Sequence, residues 1–230
     1  MKLLWCLFLS LLLSNAQAQD YTAYNQLLKD HVDTKGRVNY KKLVGAKKQI
    51  NLILTQWQAV NFQQLSTQNQ LAFLVNLYNL ATLKIVTDHY PISTIKDIAG
   101  GKVWDEKRIS LMGKKYSLNE IENQLIRSVH KDARIHFVLN CAARSCPPLT
   151  GEALTGANLQ SMLESRTKSF INHADFNTFK KDKIILSSIF DWYRQDFGNI
   201  IGFINRYRSP ALPSQIPVSF APYDWKLNSQ

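Results

Sequence analysis

Histidine, asparagine, arginine, serine and two cysteines crowd into the segment Arg134-Ile-His136-Phe-Val-Leu-Asn140-Cys141-Ala-Ala-Arg144-Ser145-Cys146-Pro-Pro148-Leu149. A thiol beside an imidazole is the chemistry of thiolate hydrolases and acyltransferases, because the imidazole lowers the thiol pKa and fixes the nucleophile. Cys146 is the candidate nucleophile, His136 the base, and Asn140 or Glu122 the group that orients the base. Pro147 and Pro148 count against this reading, since they have no N–H to offer an oxyanion. The same two cysteines offer another outcome, a Cys141–Cys146 bridge. It would close a six-residue loop, worth roughly 2 kcal/mol in the chain-entropy model, and would pin the bend at Arg144 and Ser145 as a recognition surface.

The N-terminus weighs on that choice. Lys2, the apolar run from Leu3 to Leu13 and the small-residue site Ala16-Gln17-Ala18 read as a cleaved secretory signal over residues 1–18. The run is too short to span a bilayer, which needs about 20 residues. Cys6 leaves with the signal, so Cys141 and Cys146 are the cysteines of the mature chain. Two cysteines in an exported chain are usually oxidised to each other. The expected protein is therefore exported, periplasmic or secreted, with no transmembrane segment after cleavage.

A second polar set sits on a helix pattern. Asn76 and Asn79 are three apart on one face, with Tyr78 beside them. An amide inside an apolar helix is costly unless hydrogen-bonded, so the pair either orients a substrate or ties the helix to a loop. Glu120 completes a capping box with Ser117, which leaves Glu122 as the freer carboxylate. Trp104-Asp105 and Trp192-Tyr193-x-x-Asp196-Phe197 set further carboxylates beside aromatics, a setting in which burial can perturb a carboxyl group. No His, Asp or Glu set has metal-ligand spacing, and no cofactor is expected.

The elements that must position these groups follow from periodicity. Residues 20–33, about 41–60, 66–90 and 157–173 have helical spacing; the third is capped by Ser66 and ended by Pro91. Val38-Asn39-Tyr40 reads as a short extended piece, and Arg108 to Leu118 as a hairpin around Met112-Gly113. Ile121, Leu125, Ile126 and Val129 form the stripe of the helix after the capping box. Ile135 to Asn140 reads as a strand. Alternation along it puts His136 and Asn140 on one face and Cys141 on the other, leaving Cys146 as the thiol partner for His136. Lys183 to Ser187 is a further strand, Phe190 to Tyr207 is helical with a break at Gly198, and the tail from Ile216 to Trp225 is extended. Helices mixed with short strands, without regular alternation, predict an α+β fold, with helices packed on a small, mainly antiparallel sheet. A helical segment, residues 19–65, and a core, residues 66–230, make one domain.

Composition fits a globular domain, with 45% hydrophobic and 20% charged residues. The formal charge of +11 includes Lys2. Such an excess favours anionic partners such as envelope polymers or lipid head groups, although the lysines are scattered in pairs, as on an ordinary solvated surface. No zinc-finger spacing or nucleic-acid module is present.

Several motifs resemble, in order, those of the family called domain of unknown function 547. They include Phe73-Leu-Val-Asn76-Leu-Tyr78-Asn79, His89-Tyr-Pro91, Trp104-Asp105, Ser117-Leu-Asn-Glu-Ile-Glu122, the segment from Arg134 to Pro148, Phe190-Asp-Trp-Tyr193-x-x-Asp196-Phe197 and Tyr223-Asp-Trp225. Residues 66–150 carry the densest part. The resemblance implies a shared polar site containing Asn76, Asn79, Asp105, Glu122, His136, Asn140, Cys141, Arg144, Ser145 and Cys146, and no assigned activity. The family pattern commonly has histidine where this chain has Asn123, which removes one candidate base. The residue types would suit a papain- or transglutaminase-like arrangement.

Three functions follow as expectations. One is a cysteine-dependent hydrolase or acyltransferase of the cell envelope. Another is a non-catalytic envelope-binding domain with a disulfide-pinned loop. The third is an enzyme working through Glu122 and Asp105 without the thiol.

Overall fold

The structure, a computed structural model, describes residues 19–230, so the expected signal peptide and Cys6 lie outside the described residues. The chain folds as a single α+β domain. α1 (Thr22–His31), α2 (Tyr40–Leu43) and α3 (Lys47–Gln58) lead into the long helix α4 (Thr67–His89). Ser66 caps α4 by accepting the Asn69 amide. Every residue from Leu71 to Leu83 is buried, the mark of a helix enclosed on all sides. Trp57 of α3 meets Tyr21 and Tyr24 edge-on and leans against Phe73, which joins the N-terminal helices to the same core.

The expected hairpin is present as β1 (Ile109–Leu111) and β2 (Lys114–Tyr116), with Ile109 opposite Tyr116. Met112 and Gly113 both have positive φ, 51° and 72°, as a two-residue turn matched to strand twist requires. Ser117 and Glu120 form the capping box that opens α5 (Leu118–Glu120). The chain then widens into a π-helical turn, Ile121–Arg127, before α6 (Ser128–His130). A π turn shifts the register that a 3.6-residue stripe assumes. Ile121 and Ile126 are buried, but Val129 is 61% exposed instead of joining them.

Ile135 to Asn140 is not a strand. Ala133–Phe137 is a 3-10 turn capped by Asp132, whose carboxylate accepts the Arg134 amide. The backbone beyond it is served by a side chain: Asn79 donates to the Val138 carbonyl at 2.9 Å and accepts the Asn140 amide at 2.9 Å. A short apolar run buried on all sides carries no period that separates strand from turn. The predicted alternation of His136, Asn140 and Cys141 therefore does not hold.

α7 (Leu159–Ile171), β3 (Thr178–Phe179), β4 (Ile184–Leu186), α8 (Ile189–Trp192), α9 (Arg194–Phe197), α10 (Ile200–Asn205) and β5 (Val218–Phe220) complete the chain. There are two small sheets where one was predicted. β3 pairs antiparallel with β4, and β4 pairs parallel with β5. Phe137, Phe170, Phe190, Phe197 and Phe203 form a second apolar cluster beneath them. The expected break at Gly198 separates α9 from α10, with φ of 60°. The final residues run back across the molecule: Leu227 bridges Ala143, and Val38 bridges both Val32 and Ser229. No helix among the described residues is long and apolar enough to cross a membrane.

Candidate functional site

A cleft of about 350 Å³ opens where the π-helical turn, the 133–137 turn, the 141–146 loop, α8 and the C-terminal segment meet. Its size falls at the lower end of small-molecule sites, about 300–1,000 Å³. His136 enters from the 3-10 turn, with a side chain only 2% exposed. Its Nε2 lies 2.7 Å from Asp196 Oδ2 on α9, and its ring stacks on Tyr193 with centroids 3.8 Å apart. Asp196 also takes both arms of Arg127, at 2.7 and 3.0 Å, a paired geometry that fixes the carboxylate. Hydrogen bonding from His136, then from Arg127, holds the Asp196 carboxyl well below its usual range. Burial lowers the pKa of His136, outweighing the pull of Asp196. A neutral imidazole donating through Nε2 leaves its lone pair on Nδ1. Nδ1 has no hydrogen-bond partner among the described residues.

Glu122, from the π-helical turn, is 6% exposed. The hydroxyls of Tyr78 and Tyr193 face it, and burial together with the nearby carboxylate raises both phenols. Tyr223 is raised for the same two reasons. Perturbed titrations thus collect in one cleft, as at functional sites. Trp104, Trp192, Tyr223 and Trp225 build the outer wall, with Trp192 stacked on Trp225 and Trp104 edge-on to it. Asp105 lies at the mouth, held by Asn119 at 2.6 Å. No lysine or arginine is among the lining residues, despite the basic composition of the chain.

The Cys141 and Cys146 sulfurs are joined, with Cα atoms 6.2 Å apart. Both cysteines line the cleft, so Cys141 does not point away from His136 as alternation predicted. The Tyr223 hydroxyl reaches both sulfurs, at 3.1 Å from Cys146 and 3.3 Å from Cys141. In this bridged state Cys146 has no thiol to offer.

The asparagines lie elsewhere. Asn76 clamps Leu154 through its carbonyl and amide, at 2.7 and 3.0 Å, and Asn79 clamps Val138 and Asn140. Asn140 donates to the Pro147 carbonyl and accepts the Ala142 amide. Asn76 and Asn79 thus tie helix to loop and Asn140 pins the loop to itself, while the hydrogen bond to the His136 ring is made by Asp196. Ser145 accepts the Asp224 amide at 2.8 Å, while Arg144 is exposed and lines a separate depression. Among the described residues no group of three or more His, Cys, Asp or Glu could hold a metal ion.

Residues 62–171 match a family model described as "Protein of unknown function, DUF547". The chain carries a DUF547 domain. No curated protein and no solved structure matches the chain. The DUF547 match contains Tyr78, Glu122, His136 and both cysteines, whereas Tyr193, Asp196, Tyr223 and Trp225 lie beyond it. About a third of the cleft lining, Ile189, Trp192, Tyr193, Tyr223 and Trp225, is thus contributed from outside the DUF547 segment. Asn123, at the position where the resemblance leads one to expect histidine, donates to the Asn119 carbonyl and accepts from Arg127. It extends the chain of contacts from Arg127 through Asp196 to His136. Asp196 stood out in the sequence only as a carboxylate among aromatics; Tyr223 and Trp225 were visible only as part of the family pattern.

Proposed function

We propose that the protein is an exported hydrolase or acyltransferase in which His136 is the general base. The observation that carries this reading is the buried, neutral imidazole, oriented through Nε2 by an ionised Asp196 and left with a free lone pair on Nδ1. A base of this kind removes the proton from water or an acceptor as it attacks an acyl carbon. Glu122, with the tyrosine hydroxyls beside it, is a further acid–base side chain in the cleft. The Cys141–Cys146 bridge forms the wall, and the nucleophile comes from solution.

Chromogenic acyl esters and anilides, offered with hydroxylamine as acceptor, test the reading. The parent and a Cys141→Ser/Cys146→Ser variant should turn over, and His136→Gln should not. Turnover that appears only after reduction, and vanishes in Cys146→Ser, would restore the thiol as nucleophile. A second reading, ligand binding without chemistry, is favoured by the closed bridge itself, which removes the strongest nucleophile from the cleft. Under it, the whole series would be inert while the aromatic wall still bound its ligand.

A further inference from the structure

On another side of the 141–146 loop lies a second depression, of about 650 Å³, whose chemistry is opposite to that of the cleft. Lys35, Arg37, Arg144 and Arg166 line it, together with His173 and one carboxylate, Asp175. Arg37 is neutralised by Asp33 at 2.8 Å, and Asp175 is 83% exposed at the edge. Among the described residues, Lys35, Arg144 and Arg166 form no ion pair. Arg166 is half-buried, and among the described residues its guanidinium donates only to the neutral carbonyl of Pro148. Desolvation lowers its pKa. Withdrawing a guanidinium from water without a counter-charge is unfavourable, and adding two more free cations beside it raises the cost.

The backbone holds these cations together. Gly36 has φ of 72°, and a Cβ there would lie 2.6 Å from Pro148 Cβ and 2.7 Å from the Leu149 amide nitrogen. Only glycine lets the Asp33–Arg37 turn press on the loop after Cys146, and that contact brings Lys35 to the Arg144 side. Arg144 is fixed in turn by its own amide, which donates to the Lys226 carbonyl at 2.8 Å, and by the adjacent bridge at Cys146.

We infer that this depression is a binding site for a phosphate group, with Arg166 at its floor and Lys35 and Arg144 closing on the oxygens. Arginine and lysine together suit a tetrahedral anion, the former by its planar fork and the latter as a point charge. The site does not depend on the chemistry of the aromatic cleft. The phosphate could belong to a soluble molecule or to a lipid head group, and the two are separable by experiment.

Calorimetric titration with inorganic phosphate, at constant ionic strength set by chloride, is the test. The parent should bind, and Lys35→Ala/Arg144→Ala should weaken binding by about tenfold or more. Both residues are exposed, so this variant should keep the fold, as far-UV circular dichroism would check. Lys47→Ala/Lys48→Ala removes the same charge elsewhere and should bind as the parent does. Equal weakening in the two variants, or no binding by the parent, would overturn the inference. Vesicles of phosphatidylglycerol in phosphatidylcholine form the second arm. Capture that depends on Lys35 and Arg144 assigns the group to lipid, and phosphate binding without capture assigns it to a soluble molecule. Capture indifferent to both residues would count against the site.

Discussion

His136 and Asp196 stand sixty residues apart in sequence and 2.7 Å apart in space. The link joins the 3-10 turn after α6 to α9, so one hydrogen bond sets the ring's direction and fastens two halves of the cleft. Asp196→Asn should remove the charge that Arg127 and His136 both face. Turnover should fall by about 10²–10⁴-fold, the usual reach of an acid–base group. Urea unfolding should show a loss of about 1–3 kcal/mol, from leaving buried donors poorly partnered. Turnover unchanged in this variant would remove His136 from the mechanism.

The pH response follows from the same pair. Unfolded, His136 titrates near its ordinary value of 6.5; folded, burial keeps it neutral to lower pH. As pH falls below 6.5 the unfolded chain takes up a proton that the folded chain refuses, so stability drops. Above 6.5 both states are neutral and the contribution is complete. Asp196, held below its ordinary 3.8, adds a second loss as pH falls below that value. Urea midpoints measured between about pH 7 and about pH 5 should decline less in His136→Gln than in the parent. A parallel decline would show that His136 is not the group responsible.

Asn79 replaces a neighbouring strand for the turn that carries His136. Asn79→Ala would strip the Val138 carbonyl and the Asn140 amide of their partners inside the core. About 2–4 kcal/mol of stability should be lost in denaturant titration, with the site misplaced as a result. Asn76→Ala should cost a similar amount at Leu154. Its turnover per folded molecule should stay near the parent's, because Leu154 does not line the cleft.

The bridge can be weighed without reference to activity. Cys141→Ser/Cys146→Ser should lower stability by roughly 2 kcal/mol, the value for a loop of this length. A thiol titration of the unfolded, unreduced parent should find neither Cys141 nor Cys146 free. Two reactive thiols in that assay would show that the cysteines stay reduced in the protein as made.

Gly36→Ala should be disproportionately costly for so small a change. It combines an unfavourable positive φ with contact against the Pro148–Leu149 backbone, and should lower stability by more than about 1 kcal/mol. Phosphate affinity should fall with it, because Lys35 would swing away from Arg144. Affinity equal to the parent's would mean that the turn does not set the basic depression.

Legibility in the sequence tracked how local each signal was. Ser66, the helical spacing of α4, the Met112-Gly113 hairpin and the Ser117–Glu120 capping box are written in a few neighbouring residues, and each is present as predicted. The stretch from Ile135 to Asn140 misled because it is buried on every side and its backbone partner is a distant side chain, Asn79. A π turn, which no periodic template contains, moved Val129 outward. His136 and Glu122 were legible as candidates by residue type. Their assembly with Asp196, Tyr193 and Tyr223 was not, because those contacts span long stretches of chain.

Tyr223, whose hydroxyl touches both sulfurs, sits on a strand of chain that also carries Trp225 and then bridges Val38 through Ser229. The early helices, the central loop and the last residues are therefore threaded together like a drawstring. Contacts across most of the chain slow folding, because loop-closure entropy must be met before they reward it. If the sulfurs meet before the tail docks, Tyr223 closes over a finished bridge; if the tail docks first, it closes over a pair of thiols.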